Sequence, residues 1–220
     1  MEKSIFMQPW FVKLSDLKAY LKTGDVILVH GRYPFSVVIE AFQWSPWSHS
    51  AMIVRPEDIG LENQTDELLL WEANDLTNLP DFVTGKTKTG PMLVSFEERV
   101  KSTQREFNSV QFACRHLYVE RTPVMMNNLK KFMNEVINAG FPDSSVMARM
   151  LIEGRYSRKD SGNALFFCSE LLAASYQTMK LLDDYYPKNA YEPKDFSQTG
   201  TIPLLQRAFL GNEMHFNPLV

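Results

Sequence analysis

Short apolar runs separated by turn residues divide the chain into candidate elements. "SDLKAYLKTGDVILVHG" opens at Ser15, placed as an N-cap, and predicts a short helix that Gly24-Asp25 ends. "VILVH" (26–30) then reads as a buried strand. "YPFSVVIEAFQW" (33–44) spaces its apolar residues as a helix does and begins at Pro34, a favourable first-turn residue. After the "SPW" turn, "SHSAMIV" (48–54) predicts a strand, the polar loop 55–67 follows, and "LLLWEA" (68–73) predicts another. "PMLVSFEERV" and "FACRHLYVE" read as further strand material. "PVMMNNLKKFMNEVINAG" (123–140) has helical spacing with Gly140 as its stop, and 144–154 adds a second helix. Cys168 sits in the first turn of a third helix starting near Phe166, and the tail from Tyr185, with prolines at 187, 193, 203 and 218, reads as irregular. A helix, a strand-rich middle and a helical last third favour an α+β fold over a wound parallel sheet.

Composition narrows the picture modestly. The 220 residues are 45% hydrophobic and 22% charged, as expected of one globular domain spanning 1–220, with its core at 15–198. A net charge of −3 and the lack of any basic run give no reason to expect a nucleic-acid partner. The N-terminus, "MEKSIFMQPWFVKL", lacks the pattern of a signal peptide, and no apolar stretch is long enough for a membrane span. A cytoplasmic protein without a transmembrane segment is the expectation, with export by a route lacking a cleaved signal left open. Two cysteines argue against a disulfide scaffold. "GKT" (85–87) fails as a phosphate loop because Pro80 stands where the pattern needs a glycine. No Cys-x-x-Cys, His-x-His or His-Glu-x-x-His spacing is present, so no metal site is expected.

The candidate chemistry centres on "FFCSELL". At the first turn of a helix, free N–H groups favour a thiolate at Cys168, although helical spacing also turns that residue toward a packed face. A nucleophilic reading needs a base. If strands 48–54 and 68–73 form an antiparallel hairpin, His49 falls beside Glu72 or Ala73, and a carboxylate there holds the imidazole in the useful tautomer. Glu72 is the favoured orienter, with Asn74 and Asp75 behind it. Cys114 and His116 share a strand face but sit too close in sequence to work well as nucleophile and base. Glu170, two residues past the cysteine, suits a capping role at the helix start. Trp44, Trp47 and Trp71 lie near the site in sequence; each is an ordinary core residue or, as the sharper reading, part of a wall that binds substrate.

Four of these stretches together resemble a known family. Gly24-Asp25 before a hydrophobic strand, Ser48-His49 on the next strand, Glu72 on the one after, and Cys168-Ser169-Glu170-Leu171 at a helix start are similar to the circularly permuted NlpC/P60 papain-like superfamily, in its YiiX-like (orthopoxvirus-type) group. The resemblance runs from about residue 22 to about 198. It implies a permuted papain-like fold with a central antiparallel sheet against the cysteine helix. It carries the nucleophile onto Cys168, the base onto His49 and the orienter onto Glu72, the same trio that spacing brings together. The segment 141–163 is longer than the family usually has before the cysteine, which makes it a helical insertion near the cleft.

The implied activity is that of a cysteine peptidase or amidase, acting by thiolate attack on an amide or ester carbonyl of a small-molecule, peptide or acyl-lipid substrate, without a cofactor. A lipid acyltransferase or phospholipase-like thiol enzyme is the alternative of the same chemistry. A catalytically silent binding module is the alternative of another class. The sequence does not fix oligomeric state.

Overall fold

The computed structural model describes residues 12–31, 46–107 and 110–219. The predicted helix at 33–44, which includes Trp44, lies outside the described residues.

Seven strands form a mixed sheet in the order β1-β9-β6-β2-β3-β4-β5. In chain order these are β1 (Val12–Lys13), β2 (Val26–His30), β3 (His49–Val54), β4 (Leu69–Asn74), β5 (Gly90–Ser95), β6 (Gln111–Arg115) and β9 (Met214–Asn217). Every neighbouring pair is antiparallel except β1 with β9. A small second sheet joins β7 (Leu117–Tyr118) to β8 (Phe209–Leu210). The helices are α1 (Leu14–Tyr20), a single turn α2 (Pro56–Ile59), α3 (Phe96–Glu106), α4 (Pro123–Val136), α5 (Ser144–Ser157) and α6 (Cys168–Thr178). The chain is thus an α+β protein with a central sheet and several helices. Among the described residues no helix is long and apolar enough to cross a membrane.

Strand alternation divides the core into two layers. Val26, Leu28, Met52, Val54, Leu69, Trp71 and Leu93 point to the side covered by α4 and α6. Ile27, Val29, Ala51, Ile53, Leu70, Met92 and Val94 point to the side covered by α1 and α3. The turn before β2 needs Gly24: its φ is 94°, and a Cβ there would stand 2.7 Å from the Leu117 side chain. Tyr176 on α6 donates to the Gly24 carbonyl at 2.6 Å, so the same turn anchors α6 to the sheet.

Four sequence expectations need correction. "SFEERV" is the start of α3 rather than strand material: β5 ends at Ser95, whose hydroxyl caps the helix by accepting from the Glu98 N–H at 3.4 Å. Ser15 lies inside α1, which is preceded by Lys13 as its N-cap. The proline-rich tail is not wholly irregular, because β9 inserts between β1 and β6 and buries Phe216. The sheet therefore extends past residue 198. The helix at 123 ends at Val136; Gly140 instead bridges to Leu165.

Candidate active site

The site is assembled at the start of β3. Ser48 fixes that point: its N–H donates to the Val29 carbonyl at 3.0 Å and its hydroxyl to the Gly31 carbonyl at 2.8 Å. His49 follows as the first strand residue, paired with Val29 of β2. Met52 pairs with Trp71, and continuing that register sets Ala51 opposite Glu72 and His49 opposite Asn74. Glu72 therefore reaches His49 along the diagonal on the same face, a distance that a glutamate side chain spans. The result is a bond of 2.9 Å between His49 Nε2 and Glu72 Oε2, with both side chains buried.

Cys168 arrives from the other layer. Gly140 and Leu165 form a parallel bridge, the Phe166 N–H donates to the Gly140 carbonyl at 2.9 Å, and Phe166 is fully buried. This seats the chain just before α6, so that Cys168 is the first helical residue, with Phe167 as N-cap. Phe167 has no side-chain acceptor, and half of a capping box remains: Glu170 Oε2 accepts from the Phe167 N–H at 3.3 Å. The Cys168 side chain, 4% exposed, hydrogen-bonds to His49, and the Ser50 and Ser169 backbone N–H groups also face its sulfur. With Nε2 committed to Glu72, Nδ1 is the imidazole nitrogen left for the thiol.

The electrostatics follow from this arrangement. Burial opposes charge on all three groups, but here their mutual contacts outweigh it. At His49 burial favours the neutral ring, yet the bonds to Cys168 and Glu72 and their charges hold its pKa up at about 10. At Cys168 burial raises the thiol, while the His49 bond and charge and the two backbone N–H groups bring it below its ordinary value. At Glu72 burial pushes upward, but the Arg99 guanidinium, His49 and Asn74 hold the carboxyl at about 2. The contacts among the three groups thus favour the charged form of each over what burial alone would allow.

Two partners of Glu72 complete the group. Asn74 Nδ2 donates to Oε2 at 3.2 Å. Arg99 Nε donates to Oε1 at 2.6 Å, and Arg99 is 2% exposed. Sequence reasoning placed Asn74 behind Glu72 but missed Arg99, because its segment read as a strand. The signal was available. Phe96, Arg99, Val100 and Thr103 follow helical spacing as the buried face of α3, with a charged residue in the apolar stripe.

The predicted substrate wall is placed differently. Trp71 is 1% exposed and donates through Nε1 to Ser175 of α6 at 3.2 Å, deep between sheet and helix. Trp47 is buried, donates to Glu213 at 3.1 Å and stacks on His215 with ring centroids 5.8 Å apart. Both indoles belong to the core layer under α6, so neither presents an open face.

A second group surrounds the other cysteine. Asp25, Cys114 and His116 have donor atoms within 4.8 Å of one another, the reach of a metal site. The Asp25 carboxylate is already saturated: Oδ1 accepts from the Leu117 N–H at 2.9 Å and Arg121 at 3.0 Å, and Oδ2 from the Lys22 N–H at 2.9 Å and His116 at 2.7 Å. A cation there would have to displace or face the Arg121 guanidinium. The arrangement fits a clamp that joins β2, β6 and the 116–121 segment.

No family model and no curated protein matches the chain. Among solved structures it is similar to the metalloprotein yiiX from Escherichia coli O157:H7, DUF1105, with a TM-score of 0.46 and 14% identity. That similarity covers 72% of this chain and 66% of the yiiX chain.

Proposed function

We propose that the chain is a cysteine-dependent hydrolase of the permuted papain-like kind, with Cys168 as nucleophile, His49 as base and acid, and Glu72 as orienter. The observation that carries the reading is the buried hydrogen-bonded line from Cys168 through His49 to Glu72, which favours a thiolate at the start of α6. In this scheme the thiolate adds to an amide or ester carbonyl, and the Cys168 N–H, which has no intrahelical acceptor, helps hold the oxyanion. His49 gives its Nδ1 proton to the leaving group as the carbonyl re-forms, leaving a thioester on Cys168. His49 then takes a proton from water, the hydroxide attacks the thioester, and acid and thiol are released. An acceptor other than water turns the same sequence into acyl transfer. Glu72 keeps Nδ1 aimed at the sulfur throughout.

The test uses p-nitrophenyl acetate, which needs no knowledge of the natural substrate. The reading expects a burst of nitrophenolate and an acetyl mass increment on Cys168, both absent in Cys168→Ser. Equal nitrophenolate release by the wild type and Cys168→Ser, with no increment on the cysteine, would overturn it.

A further inference from the structure

Buried charges come in balanced sets, and here the balance depends on a residue outside the trio. A thiolate, an imidazolium and a carboxylate together carry one net negative charge, which a buried site tolerates poorly. Arg99 supplies the missing positive charge from α3. Its fork is fixed at three points: Nε donates to Glu72 at 2.6 Å, one terminal nitrogen to Asn78 Oδ1 at 2.6 Å, and the other approaches Met92 sulfur at 3.6 Å. Asn78 is held in turn, donating through Nδ2 to Glu106 at 2.8 Å. We propose that Arg99 is a positioning residue which, by making the Cys168–His49–Glu72 group neutral overall, keeps Cys168 a reactive thiolate into the acid range. This rests on the hydrolase reading above and extends it to the site's working pH.

The direction of the effect follows from charge alone. Removing a buried cation makes every nearby proton harder to lose, so the Cys168 thiol rises. Glu72, left with the imidazolium as its only cation, also rises. Once Glu72 is protonated it no longer supports His49 as an imidazolium. Both changes move the loss of thiolate to higher pH. Another titratable group facing His49 is Asp75, half-buried just past β4; burial raises its carboxyl, while the His49 charge opposes that rise. From α6, Cys168 faces His49.

The experiment is the rate of Cys168 alkylation by iodoacetamide between pH 4 and 9, read by peptide mass spectrometry. In Arg99→Met the acid limb should move up by about one pH unit or more, and Arg99→Lys, which keeps the charge, should restore most of that shift. Asp75→Asn should not move the limb upward. A folded Arg99→Met protein with an unmoved limb would overturn the proposal. Should Arg99→Met fail to fold, the double variant Arg99→Met with Glu72→Gln, which removes both buried charges, is compared with Glu72→Gln alone. A further upward shift in the double variant supports the charge that Arg99 supplies to the group, and matching limbs overturn it. A wild-type Cys168 no faster than an ordinary thiol at pH 6 would sink the hydrolase reading itself. A fast wild type with an unmoved Arg99→Met limb would sink only the role of Arg99.

Discussion

Among the described residues two groups are built from the same four functional groups, and they differ in which of them stands beside the sulfur. Around Cys168 the order is thiol, imidazole, carboxylate, guanidinium: Cys168, His49, Glu72, Arg99. Around Cys114 the carboxylate of Asp25 is at the centre and binds both His116 and Arg121. In the first group the imidazole touches the sulfur and brings its thiol down. In the second, burial and the Asp25 charge push the Cys114 thiol well up. Inventory is therefore a poor guide to reactivity. What matters is which group stands next to the sulfur.

Exchanging each carboxylate for its amide separates the two groups most strongly. Glu72→Gln leaves Arg99 buried without an anion and should cost about 3–5 kcal/mol in denaturant unfolding, together with fast Cys168 alkylation at pH 6. Its pH dependence has a definite sign. The folded Glu72 carboxyl, at about 2, is depressed, so its contribution is present above the unfolded value near 4.5 and is lost as pH falls toward 2. The variant should lack that part of the acid destabilisation. Asp25→Asn should also destabilise, by about 2 kcal/mol because His116 and Arg121 are partly solvated, but should leave Cys168 alkylation unchanged. Loss of Cys168 reactivity in Asp25→Asn would erase the distinction between the groups.

A third buried carboxylate sharpens the contrast. Glu170 lies in the first turn of α6, bonded to Ser161 and the Phe167 N–H, and burial pushes its carboxyl up to about 8. A raised folded pKa gives stability that is full below about 4.5 and fades as pH rises through 8. Unfolding free energy should fall by about 2–4 kcal/mol between pH 5 and 9 on this account, and Glu170→Gln should flatten that fall. An unchanged slope in the variant would show that Glu170 is not the group titrating. The smallest effect is expected at Cys114→Ala, about 1 kcal/mol of lost packing without change at Cys168.

The legible parts of the fold were those with strong local periodicity. Strands 26–30, 48–54 and 68–73 and the helices at 123 and 144 follow from apolar spacing that packing then used. The pairing of β3 with β4 brought His49 to Glu72 even though the register sets His49 opposite Asn74, because side chains two positions apart share a face. Other features depended on context. The apolar run "PMLVS" flows into "FEERV" without a break in hydrophobicity, and only the Ser95 cap shows where the period changes, so Arg99 was hidden with its helix. β9 is four residues long between turn-rich segments, and its place in the sheet comes from pairing with β6 and β1, which no local pattern encodes. The tryptophans were legible as aromatic bulk but not as direction: Trp71 alternates with Glu72, and so faces α6 rather than the site.

The most direct measurement is the alkylation rate of each cysteine at pH 6 in the native protein and in His49→Ala. An ordinary thiol titrating near 8.5 is about 0.3% ionised at that pH, so a thiolate held by His49 should react on the order of a hundredfold faster. The account predicts fast alkylation at Cys168, slow alkylation at Cys114, and collapse of the difference in His49→Ala. A native Cys168 that stays as inert as Cys114 until the protein unfolds would contradict it, and Cys168 would then be a packing residue.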